Sequence, residues 1–368
     1  MVASSYPMLL LTTVKTPYTR AVLVGCSIFV SFLLVELLLR IFISRLMPIP
    51  DWQTEARFTP DPYLVYRLKP GLVSSRTTKE YIETVSMNGQ GVRSVRETAI
   101  PKPEGTYRIL LAGDSFTFGH GLKDDDTIAS RMDHLINNLL QHAPTDVLNR
   151  GTPGYSPDQS YRMLIEDIPK FHPDIIFWNL IQGNMDESIR PGRNYRAVLS
   201  TLAKDGSLVS LDAKDNWLYI RNNLLIRTPR WVRKLRLFDV SLSALSRLSV
   251  FTSIPDTTDE GKRAWAKHKL IKQAEDIHNT CGKMDCTLIV TWMPSAWKSQ
   301  YPNAIPFPEK DLNELGIQTL NIEKSLGVRP ENYFLFDGHP NPLGAKAIAE
   351  VMAERALDVI ATPSVSLR

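Results

Sequence analysis

From Tyr107 onward the sequence alternates short apolar runs with longer stretches of helical character, and this alternation restricts the fold more than any other feature. YRILLAG (107–113), DVLNR (146–150), DIIFWNLI (174–181), CTLIVTWM (286–293) and NYFLF (332–336) are runs of strand length. Helical stretches fall among and after them, around 127–142, 157–170, 262–281 and 342–360. DIIFWNLI is apolar almost throughout, as a strand covered on both faces must be. Strands separated by helices run parallel, because each crossover returns the chain to the same end of the sheet. The expected fold is therefore α/β, a three-layer α/β/α doubly wound parallel sheet of flavodoxin-like type. Right-handed crossovers put its functional loops at the carboxyl ends of the strands.

Upstream lies AVLVGCSIFVSFLLVELLLRIFI, Ala21–Ile43, in which only Glu36 and Arg40 are charged. About 20 such residues span a bilayer as a helix, and the two charges sit at i,i+4, where opposite charges meet on one helix face. A cleaved signal peptide has a shorter apolar core followed by small residues, whereas here Arg45, Leu46, Met47 and Pro48 follow. An uncleaved transmembrane anchor is expected. Lys15 and Arg20 before the run balance Arg40 and Arg45 at its end, so charge alone leaves the orientation open.

The expected organisation is an N-terminal tail at 1–20, the anchor at 21–43, a connector at 44–105 and the α/β domain at 106–362, with an insertion at 187–261. Pro60, Pro62, Pro70, Pro101 and Pro103 keep the connector from long helices. YIETVSM (81–87) reads as a strand, followed by a hairpin-type turn at Asn88-Gly89. The insertion carries Trp217, Trp231 and a basic cluster of Arg227, Arg230, Arg233, Lys234 and Arg236, and then the amphipathic FDVSLSALSRLSVF. It reads either as a lid or polymer- or headgroup-facing surface, or as a solvated helix on the core. The net charge of +4 gives no reason to expect a nucleic acid as partner. Cys26 lies in the apolar run; Cys281 and Cys286 form either a local disulfide, if exported, or two free thiols.

Chemistry concentrates at the strand ends. Gly113-Asp114-Ser115 closes the first run, which puts a serine hydroxyl at the sheet's rim beside the N–H groups of a starting helix. Serine is a weak nucleophile without an adjacent base. Asp337-Gly338-His339 follows the NYFLF run; residues two apart in an extended segment point the same way, so Asp337 can orient the His339 imidazole. Each motif alone is an ordinary capping turn, but together they place a nucleophile, a base and an orienting acid at one rim. Asn149-Arg150-Gly151-Thr152-Pro153-Gly154 ends the second run and Gln182-Gly183-Asn184 the third. The N–H groups of Ser115 and Gly154 with the Asn184 amide would form a three-donor oxyanion hole.

These four loops resemble the blocks of the SGNH/GDSL hydrolase superfamily, and the resemblance covers about 106–360. Asn88, Gly91 and Arg93 likewise resemble an Asn-x-x-Gly-x-Arg motif that precedes the serine strand in membrane-anchored bacterial members. The resemblance implies Ser115 as nucleophile, Gly154 and Asn184 as oxyanion donors, and Asp337 and His339 as the rest of the triad. Two departures stand out: Phe336 replaces the usual Asp of Asp-x-x-His, leaving an Asp-x-His form similar to that of the alginate-acetylation branch, and Met185 follows Asn184, with Asp186 one further on. The expected function is a serine esterase or acyl-transfer enzyme acting on an ester, with O-acyl groups of envelope glycans as candidate substrate. Its alternatives are an O-acetyltransferase of surface polysaccharide and a catalytically silent envelope scaffold. No metal or organic cofactor is implied. The membrane is the expected partner through the N-terminal helix, with the α/β domain periplasmic or otherwise extracytoplasmic.

Overall fold

The computed structural model describes residues 17–43, 57–140, 144–183, 197–212, 219, 223–224, 227–248, 257–296 and 304–362. The chain divides into two compact units, Asp51–Leu224 with Val250–Arg368, and Met1–Pro50 with Leu225–Ser249.

In the larger unit two antiparallel hairpins come first, β1 (Phe58–Asp61) with β2 (Val65–Leu68) and β3 (Val73–Thr77) with β4 (Ile82–Ser86). The central sheet contains β5 (Tyr107–Ala112), β6 (Thr145–Asn149), β7 (Ile175–Ile181), β10 (Thr287–Met293) and β11 (Gln318–Asn321), and every pairing in it is parallel. The small antiparallel pair β8 (Ser200–Leu202) and β9 (Leu208–Ser210) stands apart.

The sheet order is β11-β10-β7-β5-β6. The first strand of the sheet, β5, is thus flanked by the second and third, so the winding reverses between β5 and β7. At such a switch point the two helical crossovers leave toward opposite faces and open a crevice at the strands' carboxyl ends. Successive side chains divide between the faces: Ile176 and Trp178 join one core with Leu164, Ile168 and Leu270, whereas Ile175 and Phe177 join the other with Met132. Helices Pro157–Phe171 and Asp259–Gly282 supply the first face, Ile128–Leu139 and Pro342–Ala361 the second. The doubly wound three-layer architecture expected from the sequence is present.

At one expected strand the structure differs. NYFLF forms no sheet strand: Asn332 ends a short 3-10 turn, Tyr333 makes an isolated bridge to Pro340, and Leu335 and Phe336 are 83% and 84% exposed. The fifth position is taken by Gln318–Asn321, polar at all but Leu320 and paired among the described residues with β10 alone. Asn88-Gly89 does lie in a turn, closed by the Met87–Arg93 bridge, but β4 finds its hairpin partner upstream in β3. Cys281 and Cys286 are disulfide-bonded, with Cα atoms 4.7 Å apart.

In the smaller unit, helix Pro17–Phe42 has 26 residues and a length of about 39 Å. It is long and apolar enough to cross a membrane, a test that signal sequences also pass. Its buried Glu36 is used. The carboxylate accepts the N–H groups of Arg236 and Leu237, each at 2.9 Å, and so caps helix Arg236–Leu248. Arg40 donates to Glu36 at 2.7 Å and to the Lys234 carbonyl at 3.1 Å. The basic helical segment of the insertion therefore packs with the N-terminal helix, while Trp217 lies outside the described residues.

Candidate active site

β5 delivers the chain to Gly113, where a Cβ would sit 2.3 Å from Thr117 Oγ1 and 2.8 Å from the Asn179 carbonyl, so only glycine fits. Asp114 caps the next turn, its carboxylate accepting the Phe116 N–H at 2.9 Å. Helix Ser115–Phe118 is a single turn closed by Gly119 at φ 87°, the left-handed conformation that glycine adopts without steric cost. The loop after β6 presses on this turn. A Cβ on Gly151 would lie 2.1 Å from the Phe118 nitrogen, and Thr152 donates to the Gly113 carbonyl at 3.0 Å. The serine is thereby held by backbone on two sides.

In the loop that carries Asp337 and His339, the Phe334 N–H donates to the His339 carbonyl at 2.9 Å and the Gly338 N–H to the Phe334 carbonyl at 3.0 Å, with Gly338 at φ 77°. This turn aims His339 at the serine. Ser115 Oγ lies 2.7 Å from His339 Nε2, and His339 Nδ1 hydrogen-bonds Asp337 Oδ1. An ionised Asp337 can only accept, which fixes the proton on Nδ1 and leaves Nε2 to accept from the serine hydroxyl. Burial alone would raise the Asp337 carboxyl, but the hydrogen bond and charge of His339, aided by His120, bring it down to about 2. Ser115 and His339 are each 9% exposed. Buried, hydrogen-bonded in series and still reachable, the three groups can deprotonate a serine as it attacks.

Of the expected oxyanion donors, Gly154 lies in the loop against the serine turn, at φ 81°. Among the described residues, no protein acceptor takes the N–H of Ser115 or of Gly154. Asn184 lies outside the described residues.

The Asn-x-x-Gly-x-Arg residues buttress this arrangement. Asn88 closes its own turn by accepting the N–H groups of Gln90 and Val92 at 3.1 and 3.0 Å. Arg93 donates to the carbonyls of Phe118, Gly119 and Leu122, each at 2.8 Å, and so ties down the end of the serine helix.

A second layer was not anticipated from the sequence. His120, between Gly119 and Gly121, packs its ring against His339 with centroids 4.6 Å apart, and its Nε2 is 3.7 Å from Asp337 Oδ2. Arg76 donates to His120 Nε2 at 2.9 Å, and fully buried Glu83 faces Nδ1 at 3.8 Å. Burial, reinforced by the charge of His339, lowers the His120 imidazole to about 3, so it stays neutral. His120, Asp337 and His339 bring three ligand-type atoms within 4.8 Å of one another. A dication there would confront the Arg76 guanidinium and displace the triad hydrogen bonds, so the geometry suits proton transfer better than metal binding.

No protein-family model matches the chain, and no curated protein matches it in sequence. Distant likenesses occur among solved structures. A family 3 carbohydrate esterase of Clostridium thermocellum is 16% identical, with 70% of this chain and 98% of that one covered at a TM-score of 0.36. The psychrotrophic esterase EstA from Pseudoalteromonas sp. is 10% identical, with 69% and 99% covered at 0.38. A protein from Desulfitobacterium hafniense DCB-2 ascribed to the G-D-S-L lipolytic family is 11% identical, with 67% and 98% covered at 0.35. Likeness this distant leaves the chemistry to be read from the site.

Proposed function

We propose that this chain is a serine esterase of the SGNH/GDSL type, working through an acyl-enzyme on Ser115. The observation that carries the reading is the continuous hydrogen-bonded series Ser115–His339–Asp337 at the switch point of the sheet. His339 Nε2 takes the serine proton as Oγ attacks the ester carbonyl. Asp337 stabilises the imidazolium without taking the proton. The tetrahedral oxyanion is met by the N–H groups of Ser115 and Gly154, with Asn184 as the proposed third donor. Collapse expels the alcohol, which leaves with the proton held by His339, and an acceptor hydroxyl then repeats the sequence in reverse.

When the acceptor is water the enzyme is an esterase; when it is a sugar hydroxyl it is an O-acyltransferase, through the same intermediate. We place the natural substrate among O-acylated or acylatable envelope glycans, and the domain outside the cytoplasm. Helix Pro17–Phe42 would hold the chain at a bilayer, and a disulfide such as Cys281–Cys286 belongs to an oxidising compartment.

The test is labelling of the full chain in membranes with a fluorophosphonate, followed by turnover of a short-chain aryl ester and of acetylated glycan with water or sugar acceptors. Wild type should label at Ser115. Ser115→Ala should lose at least about a thousandfold in turnover, keeping only what oxyanion binding supplies. Unchanged turnover in Ser115→Ala would refute the assignment, and an acceptor preference separates hydrolysis from transfer.

A further inference from the structure

The turn that carries Asp337 is held from outside. Leu335 and Phe336 at its apex are 83% and 84% exposed, so no core packing fixes their backbone. The N–H groups of Phe336 and Asp337 instead both donate to one carboxylate, Glu80, at 2.9 and 3.1 Å. Glu80 belongs to the connector, in the turn between β3 and β4. That turn is itself set: Thr78 Oγ1 accepts the N–H groups of Glu80 and Tyr81 at 3.2 and 3.1 Å, and the Thr78 N–H donates to the Tyr81 carbonyl at 2.9 Å.

The same hairpin reaches the imidazole side. Tyr81 packs at a tilt against Phe334 with centroids 4.9 Å apart, and Arg76 donates to both Tyr81 Oη at 2.7 Å and His120 Nε2 at 2.9 Å. His120 in turn lies on the His339 ring. Gly121 permits the junction, since a Cβ there would meet Phe334 at 2.8 Å and Tyr81 at 3.2 Å. Beneath, Glu83 accepts from Arg57 at 2.8 Å and from the Gly121 N–H at 3.0 Å. One strand pair thus grips both the acid and the base of the series.

We infer that the β3–β4 hairpin is a catalytic latch: Glu80 is a positioning residue that holds the Asp337 main chain, and the Arg76–Tyr81–His120 cluster seats the His339 ring. This rests on the serine-esterase reading of the same site. A carboxylate is suited to the task because it offers two acceptors to two parallel N–H donors, whereas an amide offers one acceptor and turns a donor against the second N–H. Both groups act through Asp337 and His339 rather than on Ser115. The latch acts by keeping Asp337 in register with His339, and a triad member displaced by a fraction of an ångström loses rate without losing substrate affinity.

The experiment compares wild type, Glu80→Gln and Glu80→Ala as full-length chains in detergent, with active sites counted by fluorophosphonate so that unfolded enzyme is excluded. We expect kcat per labelled site to fall about tenfold in Glu80→Gln and further in Glu80→Ala, with KM unchanged. Amide hydrogen exchange at Phe336 and Asp337 should quicken by about tenfold or more, while exchange in the helix at Ile128–Leu139 stays at its wild-type rate. If Glu80→Ala fails to fold, Glu80→Gln supplies both readings. A kcat per site within twofold of wild type, or unchanged exchange at the two amides, overturns the latch while Ser115 labelling leaves the esterase intact. Absence of labelling and turnover in the wild type would overturn both.

Discussion

The neutral state of His120 has a measurable effect on stability. In the unfolded chain this imidazole titrates near 6.5; folded, desolvation and the neighbouring His339 lower it to about 3. Between those values the unfolded state binds a proton that the folded state does not, so stability rises with pH there and is lost on acidification from 6.5 toward 3. From pH 8 to pH 5 the loss assigned to this one group is about 2 kcal/mol, and any folded value below 4 gives nearly the same figure because the native site is then neutral throughout. Asp337 acts in a separate window: held near 2 against an ordinary 3.8, it contributes stability that disappears only as pH falls from about 4 to 2. The perturbation is His120→Gln, whose carbonyl can still accept from Arg76. Thermal unfolding of the full chain in detergent, followed at pH 8 and pH 5, should show a smaller acid-induced drop in the variant than in wild type. The difference between the two drops should be roughly 4–8 °C by the usual conversion for a domain of this order. The absolute midpoint of the variant is immaterial, since only its pH dependence is compared. Equal drops in the two proteins would mean that folded His120 accepts its proton at an ordinary pH, and the buried-neutral description would be wrong.

Two further outcomes test the scaffold. Gly151→Ala should destabilise by about 3 kcal/mol or more, because its Cβ would meet the backbone of Phe118 and Thr117 at 2.1 and 2.6 Å, where no side chain can yield; denaturant unfolding checks it, and a loss under 1 kcal/mol would show the loop free to move. Glu36→Ala should free the capped amides of Arg236 and Leu237, at a cost of about 1 kcal/mol and hence roughly fivefold faster exchange, read by mass spectrometry; unaltered exchange would mean that the helix is capped from elsewhere.

What the sequence disclosed follows from where burial leaves a local trace. Strands β5, β7 and β10 are covered on both faces and read as unbroken apolar runs, so their existence was legible. The meeting of Ser115, Asp337 and His339 at one rim was legible as well, because a doubly wound sheet gathers its strand-end loops at one edge and both motifs lay beside apolar runs. The edge strand Gln318–Asn321 was not: four residues of intermediate exposure, paired on one side, carry no continuous apolar pattern. The latch was invisible for a different reason. Glu80 and the amides it holds are 256 and 257 residues apart, and a charged residue in a hairpin turn looks like any solvated one.

The misread NYFLF segment connects these cases. Its apolar composition argued for a buried strand, yet Leu335 and Phe336 face solvent, and the backbone between them and Asp337 is secured by a carboxylate from the connector. Burial would have fixed this segment as a strand by side-chain packing and carried His339 along the sheet direction. A turn with an exposed apex lets the chain double back instead, so that Phe334 bonds the His339 carbonyl and the imidazole swings toward the serine. Departures from pattern of this kind are expected where a chain trades packing for geometry. The hairpin's contribution then becomes a requirement of the site, since a turn without core packing keeps catalytic register only if something else holds it.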